Sequence, residues 1–105
     1  MEQPNLSYIE TTSGDDKAFK YKLIEIIKSE FPLEKKVYFN NIESSNLKKT
    51  AEIVHKLKHK ISIFGLVKSF EIAVKYENNL NNNNTEGKEE FESILQLITD
   101  FLETL

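Results

Sequence analysis

Near the end of the chain, Phe91, Ile94, Leu95, Ile98, Phe101, Leu102 and Leu105 recur at intervals of three and four. At about 100° per residue that spacing gathers all seven on one side of an α-helix, whereas a strand would scatter them over both faces. A stripe of this length has to be covered, so the rest of the chain must supply matching apolar faces.

It does so in the same rhythm. "SGDDKAF" offers a capping-box-like start, Ser13 with Asp16 three residues on, ahead of Phe19, Leu23, Ile26 and Ile27 on one helical face. Pro32 cannot donate to the carbonyl four residues back, so a kink or a split is expected there. Leu33, Val37 and Ile42 continue the stripe, and the kinked helix is expected to run to about Glu43. Only "KVYF", Lys36 to Phe39, tempts a strand assignment, and helix remains the better reading. After "ESSN", with Ser44 or Ser45 as N-cap, a second long helix carries Leu47, Thr50, Val54, Leu57, Ile61 and Phe64 inward and ends at Gly65. A third, from Leu66 to Leu80, turns Phe70, Ala73 and Val74 inward, and the asparagine tract "NNLNNNN" is a loop. No internal repeat is present. Three to four long amphipathic helices with short connections imply an antiparallel bundle.

With 105 residues the chain is expected to form one domain around one core. It has no cysteine, which excludes disulfides, thiolate metal sites and cysteine nucleophiles and fits a reducing compartment. "MEQPNLSYIE" shows neither a basic n-region nor an apolar h-region, and no apolar run approaches the roughly 20 residues that span a bilayer. A soluble, cytoplasmic protein without membrane contact is the expectation. The net charge is −3 and every positive side chain is a lysine; the absence of arginine argues against bidentate readout of phosphates or bases.

Both histidines fall in "HKLKHKISIFGL", with Lys56, Lys58 and Lys60 among them. The core face of that helix centres on Val54, Leu57 and Ile61, which places His55 roughly 140° away, on the exposed side. His59 lies one turn on and Ser62 two turns on; Lys48 and Glu52 precede His55 on the same stripe, and Lys58 flanks it at i+3. The plain explanation is the solvated face of an amphipathic helix. An exposed neutral imidazole is also a nucleophile near neutral pH, and neighbouring lysines offer charge for an anion it carries.

Rival chemistries lack parts. His55 and His59 at i, i+4 can share an ion, but Lys56 stands where a zinc helix carries its glutamate, and Glu52 with His55 is a fragment of a di-iron set. No metal or other bound cofactor is therefore expected. An acidic chain without arginine or interleaved exposed aromatics is a poor binder of nucleic acid. No serine, histidine and acid arrangement for hydrolysis is visible.

The stretch "AEIVHKLKHKISIFGL" resembles the signature of histidine-containing phosphotransfer (HPt) domains, His-x-Leu-Lys-Gly-Ser with a Gly and a hydrophobic residue ten and eleven positions after the histidine. His55, Leu57, Lys58, Gly65 and Leu66 match, and "LSYIETTSGDDKAF" resembles the family's short first helix and the start of the next. His59 stands where the family usually has Gly and Lys60 where it often has Ser, which bears on how closely a partner approaches. The resemblance spans residues 1–105 and implies an all-α antiparallel four-helix bundle with a short extra N-terminal helix. It further implies a phosphoryl carrier rather than an enzyme with kinase activity of its own, consistent with the lack of a nucleotide-binding glycine pattern. His55 would accept the phosphoryl group and Lys58 would neutralise its charge, while Lys48, Ala51, Glu52, His59, Ser62 and Lys68 would form the docking face. The implied partners are response-regulator receiver domains, which bring Mg²⁺, and a hybrid sensor histidine kinase; the chain itself is expected to be a monomer. The competing expectation is an adaptor that docks receivers or other proteins without being phosphorylated.

Overall fold

A computed structural model describes residues 2–105. Among them the chain forms five helices and no strand: α1 (Ser7–Ser13), α2 (Lys17–Glu43), α3 (Leu47–Ile63), α4 (Val67–Asn81) and α5 (Lys88–Glu103). The helices pack around one apolar cluster, with α3 in extensive contact with both α2 and α4, α5 closing against α4 and α2, and α1 lying on α2. No helix among the described residues is long and apolar enough to cross a membrane.

Two helix starts differ from the sequence expectation. Ser13 does not open a helix; it is the buried last residue of α1, and the chain turns at Gly14 with φ 56°. The cap of α2 is Asp16, whose carboxylate accepts the Phe19 N–H at 2.9 Å. Likewise α3 is capped by Asn46, which accepts from Lys49 N at 3.2 Å, while Ser44 closes α2 and Ser45 takes the left-handed φ of 59°. In each case several cap-forming residues stand side by side, and the turn geometry chooses among them.

α2 runs unbroken through Pro32. Pro32 is exposed, so the internal hydrogen bond it removes is lost where water can substitute. The buried face of α2 is Ile24, Ile27, Phe31 and Tyr38; of the expected stripe Ile27 is buried and Leu23 and Ile42 are half-buried, but Phe19, Ile26, Leu33 and Val37 are exposed, Leu33 by 64%. Two apolar stripes share this helix about a third of a turn apart, and periodicity alone does not say which one meets the core.

What selects the inner stripe is an aromatic cluster. Tyr38, Tyr76 and Phe91 are fully buried, with ring centroids 5.1–6.3 Å apart. The Tyr38 hydroxyl donates to Glu92 Oε2 at 2.9 Å. Its single proton being used there, it accepts from the Tyr76 hydroxyl at 2.7 Å. Burial, reinforced by these bonds, pushes the Tyr38 phenol far above its ordinary pKa.

α3 buries Thr50, Val54, Leu57 and Ile61, with Phe64 buried as its C-cap and Leu47 half-buried. In α4, Ala73 is buried as expected and Phe70 and Val74 are half-buried; Tyr76 and Leu80 complete the face. Leu66 gives α4 no side-chain cap, and the Glu2 carboxylate fills that role by accepting from Ser69 N at 2.7 Å and Lys68 N at 3.1 Å. Nearby, Gly65 turns at φ 74° against Asn5. α4 ends at Asn81, so the first four residues of the tract expected as a loop, Asn78, Asn79, Leu80 and Asn81, are helical, and only Asn82, Asn83 and Asn84 lie in the turn before α5. α5 buries Phe91, Ile94, Leu95, Ile98 and Leu102, with Phe101 and Leu105 half-buried.

Candidate functional site

The face of α3 opposite its core stripe carries His55, exposed by 54% at the side chain. Nδ1 of His55 lies 3.1 Å from Oε2 of Glu77, on α4. A carboxylate only accepts, so Nδ1 carries a proton, and in the neutral imidazole the lone pair is on Nε2. The tautomer and orientation of the ring are thus set by a side chain on the neighbouring helix.

The same carboxylate reaches Lys58, with Nζ of Lys58 3.0 Å from Oε1 of Glu77. Lys58 is mostly covered, and its ammonium stands 5.9 Å from the centre of the Phe70 ring. Phe70 and the lysine stem shield the charge pair from water on one side, so screening is weaker than for a fully exposed pair. His55, Lys58 and Glu77 form a connected triad across the α3–α4 seam. His59 stands edge-on to His55, ring centroids 5.1 Å apart.

The other expected residues separate into two groups. Lys48, Glu52, His59 and Ser62 are exposed on α3 with His55. Ala51 is buried, at 3%, so it is a floor and not a contact surface: with Glu52, His55, Lys56, Glu77 and Asn81 it lines a shallow depression of about 250 Å³. Lys68 is exposed, but it lines a different groove, between α4 and α5, with Glu2, Ile72 and Leu97. Lys60, third of the lysines around the histidines, turns toward α2 and is buried between Glu30 at 3.2 Å and Glu34 at 3.0 Å. Its charge is consumed in holding α2 to α3.

Glu77 is the residue that sequence reading did not find. It follows Tyr76 on a helix whose register was legible, but nothing local marks it out from the chain's other glutamates; only the packing of α4 on α3 brings it to His55. Among the described residues no three or more side chains of the metal-binding types come together. Comparison with family models, curated proteins and solved structures finds no match to this chain.

Proposed function

We propose that this chain is a phosphoryl carrier of the histidine phosphotransfer kind, taking a phosphoryl group from the aspartyl phosphate of one receiver domain onto His55 and passing it to an aspartate of another. The single observation that carries the reading is the Glu77 carboxylate 3.1 Å from Nδ1 of His55, which in the neutral imidazole leaves the lone pair on Nε2 of a half-exposed ring. The matches at His55, Leu57, Lys58, Gly65 and Leu66 support it, as do four long helices consistent with an antiparallel bundle preceded by a short one.

In the uptake step the Nε2 lone pair attacks phosphorus, the bond from phosphorus to the aspartyl oxygen breaks, and its electron pair returns to the aspartate carboxylate. The ring gains positive charge while Nδ1 keeps its proton, and Glu77 stabilises that charge in place. No proton has to be moved, so the reverse transfer is as direct. Lys58 exchanges Glu77 for the phosphoryl oxygens by a swing of its side chain, and Mg²⁺ belongs to the partner receiver. The exposed His59, Glu52, Ser62 and Lys48 surround the histidine as the surface a receiver meets.

The test is incubation with a phosphorylated receiver and detection of an acid-labile, base-stable adduct that is lost in His55→Gln. A folded protein that never takes up phosphoryl overturns the reading. The alternative, an adaptor docking receivers or other proteins without phosphorylation, draws support from Leu33 and Val37, which lie exposed on α2 with Val37 beside Glu52 and Lys56 of α3.

A further inference from the structure

A phosphoryl carrier needs one imidazole, yet α3 presents two on the same exposed face, one turn apart. Their ring centroids are 5.1 Å apart and their planes stand at 90°. We propose that His55 and His59 chelate a divalent transition-metal ion of the class that prefers imidazole, Zn²⁺ or Ni²⁺, through Nε2 of His55 and a ring nitrogen of His59.

The separation fits. Two imidazoles bound at about 2.0–2.1 Å with a near-tetrahedral angle at the metal have ring centroids about 5 Å apart, so the helix already holds the rings at chelating distance. Both rings are exposed, and the broad χ2 torsion of a histidine lets His59 turn its nitrogen toward the shared point without moving backbone.

Glu77 adds what a bare pair of histidines on a helix lacks. A metal-bound imidazole characteristically donates its other N–H to a carboxylate, which fixes the tautomer and raises the basicity of the ligating nitrogen. The Nδ1 contact of His55 with Glu77, at 3.1 Å, is that arrangement. Of the nearby cations, Lys58 is paired with Glu77 and Lys60 with Glu30 and Glu34, while the exposed Lys56 beside His55 opposes the ion and weakens its binding. Glu52, exposed one turn before His55, contributes negative charge to the same face. Among the described residues no third side chain of ligand type joins the pair, so water completes the coordination sphere and the ion binds more weakly than at a four-ligand site.

Nε2 of His55 is also the atom to which the proposed function assigns the phosphoryl group. On that reading, metal and phosphoryl exclude one another, and His59 makes the carrier sensitive to free metal in a way that a glycine at this position would not.

Isothermal titration of the whole protein at neutral pH, with Zn²⁺ alone and with Ni²⁺ alone, tests the chelate without any phosphoryl donor. One equivalent should bind, with perturbation of the imidazole carbon-bound protons in nuclear magnetic resonance spectra. His55→Gln and His59→Gln should each weaken binding by about tenfold or more, and Glu77→Gln by less. Parent binding no tighter than that of the His55→Gln/His59→Gln double variant, or either single variant binding as the parent does, overturns the proposal. Mutual exclusion is then read by adding Zn²⁺ to the uptake reaction and comparing each protein with its own metal-free rate. The parent should be suppressed several-fold more than His59→Gln, a comparison that cancels any action of the metal on the receiver. Equal suppression overturns the exclusion. Metal binding by a parent that never accepts phosphoryl leaves the chelate standing and removes the proposed function.

Discussion

Oε2 of Glu77 lies 3.1 Å from Nδ1 of His55, although the two residues are 22 positions apart and on different helices. The other oxygen of the same carboxylate holds Lys58 at 3.0 Å. One side chain therefore sets both the reactive face of the imidazole and the resting place of the ammonium that would meet the phosphoryl group. Glu77→Gln keeps an acceptor for Nδ1 but removes the charge that stabilises the ring as it becomes cationic. Uptake from a phosphorylated receiver should slow by about tenfold, less than a fully buried charged hydrogen bond would cost because His55 is half in water. Glu77→Ala, which also frees the tautomer, should slow it further. Stopped transfer time courses with both variants check the order, and equal rates for parent and Glu77→Gln would contradict the role given to the charge.

Lys58 and Lys60 lie two positions apart and differ in function. Lys58→Ala should slow transfer by roughly 1.5–3 kcal/mol of lost charge-assisted contact if the lysine reaches the phosphoryl oxygens fully, with little change in melting temperature. Lys60→Ala should do the reverse. It leaves Glu34, largely covered, without its cation, and should destabilise the fold by about 1–3 kcal/mol while sparing uptake. Thermal melts and transfer rates on both variants make the comparison.

Between the two histidines, His55 has Leu57 at +2 and Lys58 at +3, while His59 has Ile61 and Ser62 there. Only His55 has Glu77 on its Nδ1. His55→Gln should abolish phosphoryl uptake, and His59→Gly should retain it on His55 at a helix-propensity cost of roughly 1 kcal/mol. Uptake by His55→Gln together with none by His59→Gly would reverse the assignment.

The hydrogen-bond chain from Tyr76 to Tyr38 to Glu92 is a stability element in the core. Tyr38→Phe leaves the buried Tyr76 hydroxyl without a partner and should cost about 1–3 kcal/mol. Adding Tyr76→Phe removes the orphan, so the double variant should be no less stable than the single one. Denaturant midpoints of the three proteins decide.

Glu2 links the N-terminal segment to α4. Slight burial pushes its carboxyl up, and the hydrogen bonds from Ser69 and Lys68 outweigh this and hold it below its ordinary value of 4.5. A depressed folded-state pKa contributes stability that is present above that value and lost as pH falls through the folded-state pKa. The stability difference between parent and Glu2→Gln should be constant above it and shrink toward zero in more acid solution, as read from melts across that window.

Spacing in the sequence was enough to make α5 and α3 helical and to choose their buried faces, because each carries one apolar stripe and a single stripe has only one way to be covered. The exposed position of His55 followed from the same rule, as the complement of Val54, Leu57 and Ile61. α2 carries two stripes, and there local periodicity had no preference; the inner one is the stripe whose Tyr38 meets Tyr76 on α4 and Phe91 on α5. Helix starts at Asp16 and Asn46 were ambiguous because neighbouring residues cap equally well in isolation. The fates of Lys58 and Lys60, and the placing of Lys68 on a separate groove, depended on which helix each side chain faced. Above all, Glu77 could not be joined to His55 from sequence, since a contact between residues on adjacent helices is set by how those helices pack, and no local pattern encodes it.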